Sequence, residues 1–252
     1  MILRSYLVEE TGCVSYLFGC TSKGKLGVVD PHADLVDEYL KSAAGVDAAI
    51  TQVFDTHVHA DHPSGAAELA ERAGAALRLP AGAPVEFEFE PLRDGEIIEL
   101  GNTRAEAMST PGHAWAHSSL LVTDTIRGEQ PWLVFTGDTL FVGAVGRPDL
   151  HGEERELAEA LGRTLRERLM TLPDWIELRP GHVGGSACGA GISSNPSSTI
   201  GFERRNNPLA TGEPPDFVDR VLAELSPPPT QFEEIYRRNR LGGSRAGVAE
   251  SA

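Results

Sequence analysis

The sequence predicts an α/β fold in which short strands and helices alternate within one domain. Short β-prone runs recur along the chain, helical segments lie between them, and turn residues such as Gly101-Asn102 mark their ends. With 252 residues, of which 40% are apolar, the chain can bury one sizeable core. Two sheets with helices on the outer faces suit this order, although periodicity alone does not select that architecture.

In the first half of the chain, β-prone runs at 14–18 and 26–30 precede a helical stretch at 35–42. The compact run AITQVFD at 49–55 predicts a buried strand, and the alanine-rich segment 66–76 predicts a helix because alanine has the highest helix propensity. Further strands are predicted at 87–90, 97–100, 103–109, 118–123 and 132–136.

In the second half, the segment 153–169 carries leucines spaced by four residues, which predicts an amphipathic helix leading into a strand at 175–179. The Gly- and Ser-rich stretch 181–196 has loop composition, and 217–225 reads as a short amphipathic helix that the prolines after it stop. We therefore expect one domain over residues 1–241. Residues 242–252 are small and polar without periodicity, which predicts a disordered tail.

The charge of the chain excludes some classes of partner. A formal charge of −15 opposes binding to nucleic acid, because phosphate contacts require clustered Lys and Arg.

No stretch reaches the roughly 18 unbroken apolar residues of a membrane helix, and the first residues resemble no signal peptide, so a cytoplasmic protein with no membrane association is expected. The 3 cysteines fit no CxxC spacing, which indicates reduced thiols. The oligomeric state is not readable, and a homodimer is compatible with the sequence.

The strongest chemical signal is the HxHxDH motif directly after the predicted strand 49–55. His57 and His59 project to the same side of an extended segment, and Asp61 and His62 can turn toward a second point nearby. Imidazole and carboxylate suit zinc, iron or manganese, and no cysteine in the motif narrows the choice. The motif therefore predicts one metal position or two adjacent ones.

Three further segments place a residue that can bind metal just past a strand. They are TPGH ending at His113, TGD ending at Asp138, and RPGH ending at His182. Of the 8 histidines in the chain, only His32, His117 and His151 fall outside these motifs. This concentration predicts that the motifs meet at one metal site.

These motifs, in this order and spacing, resemble the metallo-β-lactamase superfamily. The resemblance covers most of the chain and implies an αββα sandwich of two mixed β-sheets, with helices on the outer faces and the site at one edge of the sheets. Within the superfamily, the sequence looks most like the persulfide dioxygenases. The segments THVHADHPSG, TGDTLFVGAVGRPDL and GHVGGSACGAGISSNPSSTIGFERRNNP carry that resemblance, and the last is similar to members fused to a rhodanese domain.

The resemblance implies the activity and its cofactor. Persulfide dioxygenases oxidise glutathione persulfide with O2 to sulfite and thiol, using one Fe(II) per chain held by the residues that correspond here to His57, His113 and Asp138. This triad leaves positions for water, O2 and a substrate sulfur. The small-molecule partners implied are a thiol persulfide and O2. Because this chain ends soon after the segment that precedes rhodanese in the longer proteins, a separate rhodanese sulfurtransferase is an expected partner.

Two alternatives remain open at the level of sequence. Hydroxyacylglutathione hydrolases of the glyoxalase II type share the ligand pattern and cleave a thioester with two metals bridged by the residue that matches Asp138. Zn(II) or a mixed binuclear pair would then replace iron, one metal taking His57, His59 and His113 and the other taking Asp61, His62 and His182. The GRPDL and GFERRNNP segments favour the dioxygenase. A non-catalytic metal-binding member is the third interpretation.

Residues outside the motifs are assigned further roles. Asp30 and Asp55 follow strands and could orient a ligand histidine. Arg147 is predicted either to pair with Asp149 and brace the GRPDL loop or to meet a substrate carboxylate. Arg147, Arg204, Arg205 and Cys188 are the candidate substrate contacts. His117, with Trp115, departs from the TPGHT-type segment of the family. His117 is interpreted either as a surface residue or as a change in the substrate pocket that bears on glutathione persulfide as the substrate.

Overall fold

The computed structural model describes residues 1–150, 152–186, 188–189, 191–211, 216–225, 227–228 and 231–242. His151 and all of the predicted disordered tail except Gly242 lie outside these ranges. Among the described residues, no helix is long and apolar enough to cross a membrane.

The chain alternates strands and helices, as the sequence predicts. The strands are β1 Ile2–Val8, β2 Cys13–Cys20, β3 Lys25–Val29, β4 Ala49–Phe54, β5 Ala76–Pro80, β6 Glu90–Leu92, β7 Ile97–Leu100, β8 Thr103–Ser109, β9 Ser118–Asp124, β10 Leu133–Gly137, β11 Glu177–Pro180 and β12 Ser198–Thr199. The helices are α1 Val36–Ala44, α2 Ala66–Ala73, α3 Glu154–Glu167, α4 Ile200–Asn206, α5 Asp216–Ala223 and α6 Phe232–Arg240.

The strands form two mixed six-stranded sheets. The first has the order β1-β2-β3-β4-β5-β6, antiparallel up to β3 and parallel from β3 onward. The second has the order β12-β11-β10-β9-β8-β7 and is antiparallel except for the parallel pair β10–β11. The predicted fold class, an αββα sandwich of two mixed sheets, is confirmed.

Apolar side chains fill the spaces between four layers. Residues from both sheets, such as Phe18 and Phe54 of the first and Phe135 of the second, pack together between the sheets. Helices α1 and α2 cover the outer face of the first sheet, where Tyr39 and Leu69 are fully buried. Helices α3 and α5 cover the second sheet. The sandwich thus leaves the strand ends at one edge for the site.

Several element boundaries differ from those predicted. Strands β1, β5 and β12 and helices α4 and α6 were not predicted, and the segment predicted as a strand at 87–90 forms a strand only from Glu90. The helix predicted at 66–76 ends at Ala73, because Gly74 adopts a left-handed conformation and its N–H caps the Ala70 carbonyl. Strand β5 then follows within the stretch that alanine content had assigned to the helix.

Candidate metal centre

The loop after β4 carries the HxHxDH motif and is fixed to the neighbouring strand end. Asp30, which follows β3 with a φ of 50°, accepts a hydrogen bond from Thr56 N (2.7 Å) and another from Thr56 Oγ1 (3.0 Å). Thr56 Oγ1 also lies 3.0 Å from His57 Nδ1. Parallel pairing of β3 and β4 brings these two strand ends together, so the motif begins from a defined position.

Three of the predicted ligands meet in one buried group. His57, His113 and Asp138 each offer a ligand atom within 4.8 Å of the others, and none is more than 1% exposed. His113 Nδ1 donates to the Arg147 carbonyl (2.8 Å), which turns His113 Nε2 toward Asp138 Oδ2 at 3.7 Å. Burial lowers the pKa of His113, which favours the neutral imidazole that binds metal.

A second group adjoins the first through Asp138. Asp61 Oδ2 lies 3.1 Å from His62 Nδ1 and 3.3 Å from His182 Nε2. His182 Nε2 is also 3.2 Å from Asp138 Oδ2, so a single carboxylate faces both groups. Burial alone would raise the pKa of Asp138, but His182 and His113 outweigh it and lower that pKa. This arrangement fits either one metal or two adjacent metals.

His59 lies in a third group, with Asp30 and Asp55. Its Nε2 is 3.2 Å from Asp30 Oδ1 and 3.6 Å from Asp55 Oδ1. Burial would lower the pKa of His59, but the two carboxylates raise it well above the ordinary value. Asp30 and Asp55 are therefore in position to orient a histidine of the motif, as the sequence had suggested.

His117 is buried beside the site, and its interpretation as a surface residue is wrong. It is 1% exposed, stacks on His57 with ring centroids 5.1 Å apart, and accepts a hydrogen bond at Nε2 from Asp138 N (3.2 Å). Nδ1 must then carry the proton, which it donates to Thr110 Oγ1 (2.8 Å). Burial lowers the pKa of His117 to about 3, so it stays a neutral acceptor behind Asp138.

Two cysteines lie near the site, and the sequence predicted only one of them. Cys188 was a candidate substrate contact, and it lies in a group with Asp61 and His182, where it is 1% exposed. Cys13 was not singled out, yet its Sγ lies 3.3 Å from Asp61 Oδ2 and 3.6 Å from His62 Nδ1. Its position at the start of β2, 48 residues before Asp61, gives no sequence signal for this contact.

The three candidate arginines bind protein carboxylates instead of lining the metal groups. Arg147 is 3% exposed and holds Asp149 with two hydrogen bonds of 2.7 and 2.8 Å, which agrees with the bracing role. Arg204 and Arg205 both bind Asp174. Asp174 precedes β11 and His182 follows it, so a strand separates this pair from the site. These contacts weigh against the prediction that the three arginines bind substrate.

Asn239 on α6 is a further site residue that sequence reasoning missed. Its Nδ2 donates to the carbonyls of His59 (2.9 Å) and His62 (2.8 Å), and its Oδ1 accepts from Ser64 N (3.0 Å). The side chain is 5% exposed. Helix α6 thus clamps the loop that carries the metal motif, from 180 residues away.

Asn239→Ala is expected to lower the free energy of unfolding by about 1–3 kcal/mol, because it leaves buried backbone groups without partners. Urea unfolding should show this loss. The matched control is Asn206→Ala, which removes an exposed helical asparagine that donates to the Phe202 carbonyl. Equal unfolding midpoints for the two variants would contradict the inference that Asn239 stabilises the loop that carries the metal motif.

Asp30→Asn is expected to weaken metal binding by about 10–100-fold, the usual cost of losing a partner that orients ligands. Asn tolerates the positive φ at this position, so the substitution does not strain the backbone. It therefore tests the effect of removing the negative charge that Thr56 and His59 contact. Competition with a chelator would measure the affinity. Asp47→Asn, an exposed position with a φ of 51°, is the matched control, and equal affinities in the two variants would argue against this role.

Comparisons with known proteins agree with this geometry. The family model described as the metallo-beta-lactamase superfamily matches residues 9–182. A hydroxyacylglutathione hydrolase of Polaromonas sp. is 35% identical over 67% of this chain, which spans only 61% of that relative's length. The mitochondrial persulfide dioxygenase ETHE1 of Bos taurus is 24% identical over 96% of this chain and 89% of its own.

Two solved structures are also similar to this chain. A metallo-beta-lactamase from Staphylococcus aureus superimposes with a TM-score of 0.89 and 29% identity, covering 96% of this chain and 72% of that one. ETHE1 from Myxococcus xanthus superimposes with a TM-score of 0.82 and 29% identity, covering 95% and 98% of the two chains. Enzymes with different reactions are therefore similar to this chain.

Proposed function

Since the chain belongs to the metallo-beta-lactamase superfamily, we propose that it is an iron-dependent persulfide dioxygenase acting on glutathione persulfide or a related persulfide. The observation that carries the proposal is the group of His57, His113 and Asp138. Two imidazoles and one carboxylate are the ligand set of non-haem iron oxygenases, and they leave coordination positions open. The similarity to ETHE1 over 96% of the chain supports the same choice.

The residues of this group fit a ferrous ion. All three side chains are buried, and the Asp138 carboxylate lies among imidazoles, with Nε2 of His182 at 3.2 Å and Nε2 of His113 at 3.7 Å. Bound Fe(II) would supply the unpaired electrons that O2 needs to react with a sulfur anion, which redox-inert Zn(II) does not offer.

The protein's own contribution is to position this group and to limit its exposure to water. Asp30 and Thr56 fix the start of the motif, the Arg147 carbonyl sets the tautomer of His113, and His117 holds the backbone of Asp138.

In the overall reaction, the terminal sulfur of the persulfide anion gains both atoms of O2 and one oxygen of water. The S–S bond breaks, the thiol keeps one proton of that water, and the other proton is released with sulfite.

A binuclear thioester hydrolase is the second candidate, and one observation favours it. Asp61 and His182 lie within 3.3 Å of each other, and His182 lies 3.2 Å from Asp138, so a second metal has ligands beside the first. The hydroxyacylglutathione hydrolase relative is also the more identical of the two sequences, although over a shorter stretch.

The test is O2 consumption by freshly purified protein with Fe(II) and glutathione persulfide, run beside metal analysis and an S-lactoylglutathione hydrolysis assay. The proposal expects persulfide-dependent O2 uptake, sulfite release and about one iron per chain. Cleavage of the thioester by a protein with two bound metals, with no O2 uptake, would replace the dioxygenase with the hydrolase.

A further inference from the structure

A cavity of about 290 Å3, close to the lower end of the usual range for small-molecule sites, is lined in part by residues next in the chain to proposed iron ligands. The side chains that line it are apolar apart from one phenol and one indole N–H. The lining residues are Val58, Gly82, Pro84, Ala114, Trp115, Ala116 and Tyr236.

The cavity adjoins the site through the chain itself. Val58 lies between His57 and His59, and Ala114 follows His113 directly. Consecutive Cα atoms are about 3.8 Å apart, so two walls of the cavity are within one residue of proposed iron ligands. The cavity is therefore the candidate space for the organic substituent of a substrate whose sulfur binds at that group.

The cavity walls favour an apolar substituent. Trp115 is 49% exposed, and its indole N–H already donates to Glu153 Oε2 at 2.7 Å, which leaves the ring as its contact surface. Val58, Ala116 and Tyr236 belong to a small apolar group beneath the cavity. Aromatic walls of this kind bind flat or branched hydrocarbon groups through buried apolar area.

Cationic partners for a charged substituent are missing from these walls. Among the described residues that line the cavity there is no Lys or Arg. Arg240 donates to the carbonyl of the lining residue Pro84 at 2.6 Å, and its guanidinium already pairs with Glu86 at 3.6 Å. Glutathione carries two carboxylates, and a chain with a formal charge of −15 gives them no general attraction.

We propose that the persulfide bound at this site carries an uncharged apolar substituent, such as a benzyl or branched alkyl group, in place of glutathione. This inference rests on the proposed function and narrows its substrate class. Each additional methylene buried in such a pocket changes kcat/KM by about 10-fold or more. Benzyl persulfide is therefore expected to exceed glutathione persulfide in kcat/KM by at least about 10-fold.

The kinetic test compares O2 uptake with benzyl, methyl and glutathione persulfides in three proteins. These are the unaltered chain, Trp115→Ala, and Trp175→Ala as a matched control at an exposed tryptophan outside the cavity lining. Trp115→Ala is expected to lower kcat/KM for benzyl persulfide about 10-fold or more while affecting methyl persulfide far less. A preference for glutathione persulfide, or the same substrate profile in both variants, would overturn the inference.

A binding measurement separates this inference from the proposed function. Phenylmethanethiol and glutathione are titrated into the iron-loaded protein under nitrogen by calorimetry, so that turnover is not required. Tighter binding of phenylmethanethiol that is weakened by Trp115→Ala supports the apolar site even if no persulfide drives O2 uptake, in which case only the dioxygenase proposal fails. Equal or tighter binding of glutathione removes the apolar site even if O2 uptake is seen.

Discussion

Asp138→Asn is expected to remove iron from the protein and to abolish persulfide-dependent O2 uptake. The change keeps the shape of the side chain. It replaces the carboxylate, which is the single one in the group that also contains His57 and His113, by a neutral amide. Loss of an outer partner already weakens metal binding by roughly 10–100-fold, so loss of a ligand should cost at least about 100-fold in affinity. Metal analysis and O2 consumption measure the two effects.

Asp37→Asn is the control for this prediction, because it removes an exposed carboxylate on α1 that pairs with Arg72. It should retain full iron and activity.

His62→Gln tests the number of metals by removing a ligand of the second metal, since His62 belongs to the second group only. The dioxygenase proposal expects it to keep one iron, whereas a binuclear hydrolase would lose its second metal. An Asp138→Asn protein that still binds one iron and consumes O2 would refute the assignment.

The contacts among the motif residues could be anticipated from sequence because each motif follows a strand. His57, His113, Asp138 and His182 come after β4, β8, β10 and β11, and the sandwich brings those strand ends to one edge. Sequence order and residue type were sufficient for this inference. The division of the residues into separate contacting groups depends on side-chain directions, which the sequence does not specify.

The residues that sequence reasoning missed contact the site from distant elements. Asn239 belongs to a helix that begins soon after a proline cluster, and nothing in its local pattern indicates that it reaches the His59 and His62 carbonyls. Cys13 gives no signal because its neighbours in space, Asp61 and His62, are about fifty positions away along the chain. Such contacts follow from tertiary packing, which the local sequence does not encode.

The arginines show that the fold can give a residue an interaction that its type alone does not specify. Arg204 and Arg205 lie in a conspicuous segment, yet both bind Asp174 at the far end of β11. Arg147 is close to the site through its carbonyl, while its guanidinium binds Asp149. Their guanidinium groups contact protein carboxylates, and their role as substrate contacts stays a prediction.

Gly146→Ala is expected to destabilise the protein severely and to disturb the metal site with it. A Cβ at this position would lie 1.7 Å from the Asp138 carbonyl oxygen and 3.4 Å from His113 Cβ. The clash is with backbone, so Asp138 or the loop before Arg147 must move. Overpacking typically costs about 1–3 kcal/mol, and a clash with backbone places this substitution at the upper end, about 3 kcal/mol. Denaturant unfolding should show a loss of that size, and iron content should fall with it.

The matched control for this substitution is Gly128→Ala, since a Cβ there meets nothing closer than Gln130 N at 4.0 Å and its φ is not in the left-handed region. Its unfolding free energy should stay within about 0.5 kcal/mol of the parent. The stability loss in Gly146→Ala links the fold to the site, because the loop that the clash displaces is followed by Arg147, whose carbonyl holds His113. If Gly146→Ala unfolds like the control and binds iron normally, the loop accommodates a methyl group. The close packing of Asp138 against Gly146 is then not required for stability or for metal binding.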